Sequence, residues 1–336
     1  MRMRTIAGLI LVAGILWLRR GDDGAPAHPH RLQAAVLSDG FAVLIGPRDV
    51  HDSRRVIELD RDGARQDEMP LRLERDVRLV GTRSGAAVGW QDGKKLKFGS
   101  LDSDGNPEDV STWGKNVRQL CDGAASNEHR FAVGWLESDG RVWFVHGPME
   151  RIAALDAIAA DAEPAKATWC GIASAEQNVA LLWREGSRLL MNFCTRKQCT
   201  NIVVKVPVGA NDALLGYGCV RDSCLFATRD KHGTTKLLRV TAEGRAIVRT
   251  LENATTDTPV SIVGAGTRAF AIAYVAKDGL ATINRVTVDG AFTNVWHFEN
   301  TKHAPTLAWA GDRLLCALQS EHAGSGDYHV LKLPRQ

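Results

Sequence analysis

Phe131-Ala132-Val133-Gly134-Trp135 is the stretch on which the reading of this chain turns. Its bulky residues, Phe131, Val133 and Trp135, alternate with the small Ala132 and Gly134. A β-strand points successive side chains to opposite faces, so one face of this strand is large, the other small, and both are apolar. Such a strand is covered on both sides. A large face can seat against the small face of a neighbour, which lets stacked sheets reach interior packing density.

The string recurs along the chain as Phe41-Ala-Val-Leu-Ile45, Ala86-Ala-Val-Gly-Trp90, Val179-Ala-Leu-Leu-Trp183, Cys224-Leu-Phe-Ala-Thr228, Phe270-Ala-Ile-Ala-Tyr274 and Leu314-Leu-Cys-Ala-Leu318. The last residues of successive copies are 45, 45, 48, 45, 46 and 44 positions apart. Seven copies at that period mean a repeat architecture. Each copy follows an apolar stretch, such as Val77 to Val80, Val117 to Leu120 or Pro259 to Val263. Acidic-glycine turns come after it, at Asp92-Gly93, Asp139-Gly140, Glu185-Gly186 and Asp278-Gly279, and then a third strand such as Lys95 to Leu101. A second turn of the same kind, at Asp62-Gly63, Asp104-Gly105, Glu243-Gly244 and Asp289-Gly290, closes the third strand. These dipeptides supply the positive φ that tight hairpins need. Four antiparallel strands per unit and seven units predict an all-β, seven-bladed β-propeller of four-stranded blades.

In these strings and turns the chain resembles bacterial exported β-propeller repeat proteins. The resemblance is one of architecture, and it implies blades at about 33–76, 77–116, 117–166, 167–212, 213–258, 259–303 and 304–336. No Gly-His to Trp-Asp pairing or double-glycine kelch pattern accompanies it. Ser100-Leu-Asp-Ser-Asp-Gly105 is similar to the Asp-box turn of sialidase-like propellers, but the glycine comes one position late, so no catalytic residue is carried over. The last unit ends early. Its ring is expected to close either with an outer strand from a segment near His30 to Gln33 or with three strands.

The first 20 residues place Arg2 and Arg4 ahead of an apolar run that ends at Leu18, followed by Arg19 and Arg20. This is the layout of an export signal, and residues 21–32 read as a linker. As a helix the run from Thr5 to Leu18 spans about 21 Å, short of a roughly 30 Å hydrocarbon core, so cleavage fits its length. Arg19 and Arg20 would instead suit an anchor through residues 5–18, with their cations snorkelling to the interface. Either reading puts the remainder outside the cytoplasm, in the periplasm, at the cell surface or anchored on the extracytoplasmic side.

Seven cysteines fit that compartment. Cys194 with Cys199 and Cys219 with Cys224 each bracket four residues between apolar segments, as cross-strand pairs at a hairpin neck do. Zinc is disfavoured because no histidine falls between Cys170 and Cys224. Cys121 and Cys170 stand near the starts of successive units and are candidates for a third bridge, which leaves Cys316 as a buried thiol.

A net charge of +3 in 336 residues gives no case for a nucleic-acid partner. His28-Pro-His30 reads as solvated linker, and no histidine pair has metal-ligand spacing. The run from Asp102 to Asp109 offers oxygens at alternate positions as calcium loops do, but it reads as one of the recurrent turns. Neither a metal nor a cofactor is indicated. Trp90, Trp135 and Trp183 fall in the core column, whereas Trp113, Trp143, Trp169, Trp296 and Trp309 lie outside it and are the candidates for exposure.

No Gly-x-Ser-x-Gly elbow, phosphate-binding loop or His-Glu-x-x-His motif is present. Binding is expected at the loops after each repeated string, on the face where the channel opens. These carry Arg48, Asp49 and His51, then Asp92 and Lys94, then Glu137, Asp139 and Arg141, then Arg229, Asp230 and His232. Their mixed signs suit a protein or glycan partner better than a polyanion. The expectation is a monomeric, non-enzymatic binding or scaffold protein of the envelope. The alternative is a propeller-type glycoside hydrolase or lyase with paired carboxylates at the channel mouth.

Overall fold

The computed structural model describes residues 32–46, 54–73, 76–82, 85–127, 130–160, 166–175, 178–195, 198–200, 203–255, 258–298, 304–319 and 326–333. The export segment at 1–20 lies outside them, as does the linker up to residue 31. Seven antiparallel sheets follow one another along the chain. The fold is a seven-bladed β-propeller. Blade 1 is typical, with strands Leu32–Val36, Gly40–Ile45, Arg54–Asp60 and Arg65–Leu71 paired in chain order. The other six sheets span 77–113, 117–159, 169–206, 213–250, 261–298 and 306–332.

Two blades depart from the four-strand plan. In blade 3 the inner strand is split into Val117–Leu120 and Ala125–Asn127, and both pieces pair with Arg130–Glu137. In blade 7 the described residues give three strands, Thr306–Ala310, Arg313–Gln319 and Gly326–Lys332. Leu32 and Gln33 do not complete that blade from outside. They belong to the inner strand of blade 1, opposite Ile45 and Leu44.

Each repeated string is the second strand of its blade, and its two unequal faces build the core. Phe131, Val133 and Trp135 of blade 3 pack on Ala87 of blade 2. Beside Ala87, a Cβ on Gly89 would lie 3.2 Å from Val133 Cγ1. Leu181 and Trp183 of blade 4 meet Ala132 and Leu136 of blade 3 in the same way. Phe226 of blade 5 meets Ala180 and Leu182 of blade 4, and Phe270 and Ile272 of blade 6 meet Leu225 and Ala227 of blade 5. Leu314 and Cys316 of blade 7 then meet Ala271 and Ala273 of blade 6. The ring closes on that interface too, with Phe41 and Val43 of blade 1 against Leu315 and Ala317 of blade 7. Arg313 and Asp62 add an ion pair of 3.0 Å across the closure. Trp135 and Trp183 are wholly buried, so each contributes on the order of 3 kcal/mol of apolar burial.

The turns repeat as regularly as the strands. Asp60, Asp102, Thr241 and Thr287 each accept, through a side-chain oxygen, the N–H four residues on, at Ala64, Asn106, Arg245 and Ala291. The glycine between them closes the turn onto the carbonyl of the same residue, with φ of 75° at Gly105 and 86° at Gly290. The Asp102 carboxylate is thus engaged within its own turn, by the N–H groups of Asp104 and Asn106 and by the Asn106 side-chain amide. Among the described residues no group of three His, Cys, Asp or Glu side chains could hold a metal ion.

Three disulfides join Cys121 to Cys170, Cys194 to Cys199 and Cys219 to Cys224, and Cys316 is a buried free thiol. Bridges of this number suit an oxidising compartment. Among the described residues no helix is long and apolar enough to cross a membrane.

Candidate functional site

The inner strands of all seven blades surround a central channel holding a cavity of ≈ 920 Å³. Its wall includes Leu32, Ala34, Leu215, Val263, Pro305 and Trp309. The charged side chains of that wall, among the described residues, are Arg78 and Asp122. They form the polar centre of the site.

Asp122 owes its place to the break in blade 3. The Cys121 N–H still bonds the Gly134 carbonyl at 2.9 Å within its own blade. The next residue leaves for blade 4: the Asp122 N–H donates to Cys170 O at 2.8 Å, and the Ile172 N–H donates to Asp122 O at 2.9 Å. Gly123, at φ 74°, then turns the chain back. The Cys121–Cys170 disulfide fixes the same crossing covalently.

From this position Asp122 gathers three blades. Its carboxylate accepts from Arg78 Nη2 at 3.2 Å and from Trp169 Nε1 at 2.6 Å. Arg78 also donates from Nε to Cys121 O at 2.7 Å and from Nη1 to Asp76 at 2.7 Å. The arginine side chain is only 4% exposed, so these partners supply the counter-charge and acceptors that make its burial tolerable. Tyr217 of blade 5 reaches past blade 4 and donates to Asp122 O at 2.6 Å. The tyrosine can pass because blade 4 has Gly171 there, where a Cβ would stand 2.5 Å from its hydroxyl. Burial pushes the Tyr217 hydroxyl far above the ordinary phenol range and the Asp122 charge adds to this, so it stays a donor throughout the physiological range.

Trp169 corrects an expectation. It is 3% exposed, because its indole N–H is committed to Asp122 and its ring meets Tyr217 edge-on at 6.0 Å. Trp296 is exposed at 49%, Trp113, Trp143 and Trp309 are half-buried, and Trp90, Trp135 and Trp183 are core.

The loop residues singled out from sequence stand apart from this centre. Arg48, Asp49 and His51 lie outside the described residues. Asp92 pairs with Lys97 at 2.6 Å within its own hairpin, and Lys94 is exposed beside it. Glu137 accepts the Lys115 N–H, while Asp139 accepts the Arg141 N–H and faces its guanidinium at 3.5 Å. Asp230 accepts the N–H groups of His232 and Thr234 and pairs with Lys236 at 2.8 Å. Lys236 above all, with the backbone donors, pushes its carboxyl down to about 2. Arg229 ends the second strand of blade 5, opposite Thr235.

Sequence reading missed Arg78, Asp122, Trp169 and Tyr217. A signal was present: Arg78 interrupts an apolar inner strand, and Cys121-Asp122-Gly123 stands where such a strand should continue.

No protein-family model matches the chain, and no curated protein is similar to it in sequence. Solved structures are similar in fold. A puromycin hydrolase superposes with a TM-score of 0.52 at 16% identity, covering 90% of this chain and 52% of that one. BBS1N, solved with ARL6DN, gives 0.53 at 10%, covering 93% and 94%. The Dos1 propeller gives 0.51 at 9%, covering 85% and 77%. At such identities the likeness shows the fold alone. The chain spans about half the length of the hydrolase.

Proposed function

We propose that this chain is an exported, non-enzymatic binding module of the cell envelope, either released outside the cytoplasm or anchored there, whose channel receives a protein or glycan partner. The observation that carries this reading is the channel itself: a cavity of ligand size whose wall, among the described residues, holds one mutually paired charge couple. The three disulfides favour an extracytoplasmic setting. The test is affinity capture from envelope extract with the full chain in its disulfide-bonded form. Thr306, on the channel wall, is replaced by Trp as the control. A partner held by the parent chain and released by Thr306→Trp supports the reading. Equal capture by both proteins refutes the channel as the binding site.

The enzyme alternative has one observation in its favour, since Asp76 and Asp122 hang from neighbouring nitrogens of Arg78. Glycoside hydrolysis needs one carboxyl free to hand a proton to the leaving oxygen. Here Asp122 is already shared between Arg78 and Trp169, so the couple reads as a structural clamp. The hydrolase resemblance adds little, because the chain has no Gly-x-Ser-x-Gly nucleophile elbow.

A further inference from the structure

We infer that the cleft between blades 4 and 5 is a carboxylate-binding site built on Arg184, a residue that is not part of the channel wall. Arg184 is next to last in the second strand of blade 4, Asn178–Glu185. Its cross-strand neighbours are Trp169 and Leu189, and Leu189 in turn stands opposite Val206, so these residues form one row across the blade. Trp169, Leu189 and Val206 pack in the apolar interface with blade 5. Strand alternation turns Arg184 to that same side, with Ala180 and Leu182. In return blade 5 presents the row Leu214, Thr228 and Lys236, in which Lys236 is already paired with Asp230 at 2.8 Å.

A guanidinium in such a place needs acceptors. Arg184 is 4% exposed, yet its Nε and Nη2 are buried and, among the described residues, neither has a hydrogen-bond partner. Burial pushes it below the ordinary arginine range, with the Asp212 charge acting against that, and an arginine still keeps its proton. Asp212 acts on it from a distance, because its carboxylate accepts the Gly209 N–H at 3.0 Å within its own loop. A buried cation without a partner is a cost to the fold, and an arriving anion removes it. Nε and Nη2 share one edge of the guanidinium, where their N–H bonds run side by side and match the two oxygens of a carboxylate. Asp212 and Asp230 already bring negative charge to the cleft, so a singly charged group fits and a dianion is repelled.

Entry is from the face where loop 207–212 joins blade 4 to blade 5 across this cleft. Pro207, Gly209, Ala210 and Asn211 of the loop are exposed. Its hydrogen bonds run within it, from the Val208 N–H to Val206 O and from the Asp212 N–H to Gly209 O, besides the bond between Gly209 and the Asp212 side chain. The loop can therefore lift from the cleft with these bonds intact.

The probes are acetate, glucuronate and the amide of N-acetylglutamate, each added to the full, disulfide-bonded chain against sodium chloride at matched ionic strength. Binding is read from the rise in the thermal unfolding midpoint. Acetate is expected to raise it saturably, with an apparent affinity roughly thirty-fold or more weaker in Arg184→Met. Arg184→Lys keeps the charge and loses the paired N–H edge, so it is expected to bind acetate nearly as poorly. Asp212→Asn removes a competing negative charge and is expected to bind acetate more tightly. In chloride alone Arg184→Met should unfold no earlier than the parent, because an unpaired buried cation has been removed. A preference for glucuronate or for the glutamate amide over acetate supports the inference and tells whether a sugar acid or an acidic side chain brings the carboxylate. A rise that chloride reproduces, or that survives in Arg184→Met, overturns it, and so does the absence of a rise with all three probes. An Arg184→Met chain less stable than the parent in chloride also overturns it, since the guanidinium would then be a structural member of the interface. None of these outcomes bears on the channel, whose reading stands or falls on capture with Thr306→Trp.

Discussion

The hydroxyl of Tyr217 and the carbonyl oxygen of Asp122 lie 2.6 Å apart although 95 residues separate them in sequence, so blade 5 holds blade 3 across blade 4. Tyr217→Phe removes the donor and keeps the ring against Trp169. The expected loss is about 1 kcal/mol, read as a lower urea midpoint with an unchanged slope. Gly171→Ala is expected to cost more, about 2 kcal/mol, because its Cβ would sit 2.5 Å from the Tyr217 hydroxyl and force the ring aside.

Asp122 and Arg78 are expected to be coupled. Asp122→Ala takes from the nearly buried Arg78 guanidinium one of its two carboxylates and leaves it Asp76, at a cost of about 2 kcal/mol. In Arg78→Met the same Asp122 change should cost less, because the charge-assisted bond between the two side chains is already gone. Denaturant unfolding of the two single variants and the double variant measures the difference. Simple additivity would show that the pair is not a unit.

The core rule of large face on small face can be tested at Gly89. Gly89→Leu drives a side chain into Val133 and is expected to destabilise by about 3 kcal/mol. Adding Val133→Ala should restore part of that loss. A thermal melt that shows no recovery would contradict the facing of these two residues.

Cysteine chemistry gives a further outcome. The Cys121–Cys170 bridge closes 49 residues of chain and the other two close five each. On chain entropy alone, loss of the first costs about 4 kcal/mol and loss of either short one about 2 kcal/mol. Non-reducing peptide mapping should recover all three bridges. Burial pushes the Cys316 thiol far up, so it should react with a thiol reagent only after unfolding.

Acid should act through Asp230. Its carboxyl is pushed down to about 2, chiefly by Lys236, below the roughly 3.9 of an unfolded aspartate. A depressed folded value stabilises above the unfolded one, so the contribution is present above about pH 4 and disappears as pH falls towards about 2. The stability difference between the parent chain and Asp230→Asn should therefore shrink over that window. A difference independent of pH would refute the assignment.

The seven blades are legible in sequence because their cause is local. Alternation in Phe131 to Trp135 shows two apolar faces of unequal size, and the period near 45 says how often such a strand is rebuilt. The cysteine pairs were legible for the same reason, as short spacings or as matching positions in successive units. Trp169 was misplaced because its column gives the strand and not the partner; only the turn of Asp122 towards blade 4 brings an acceptor to its indole.

By itself the sequence determined a ring of seven sheets, the faces on which they pack and the turns that connect them, since side-chain alternation and turn chemistry act within a few residues. The tertiary structure decided where function can reside. Arg78, Asp122, Trp169 and Tyr217 come from four different blades, and they meet only because ring closure brings every inner strand to one axis. Residues 44 to 95 positions apart share no local signal, so their convergence is a property of the closed ring.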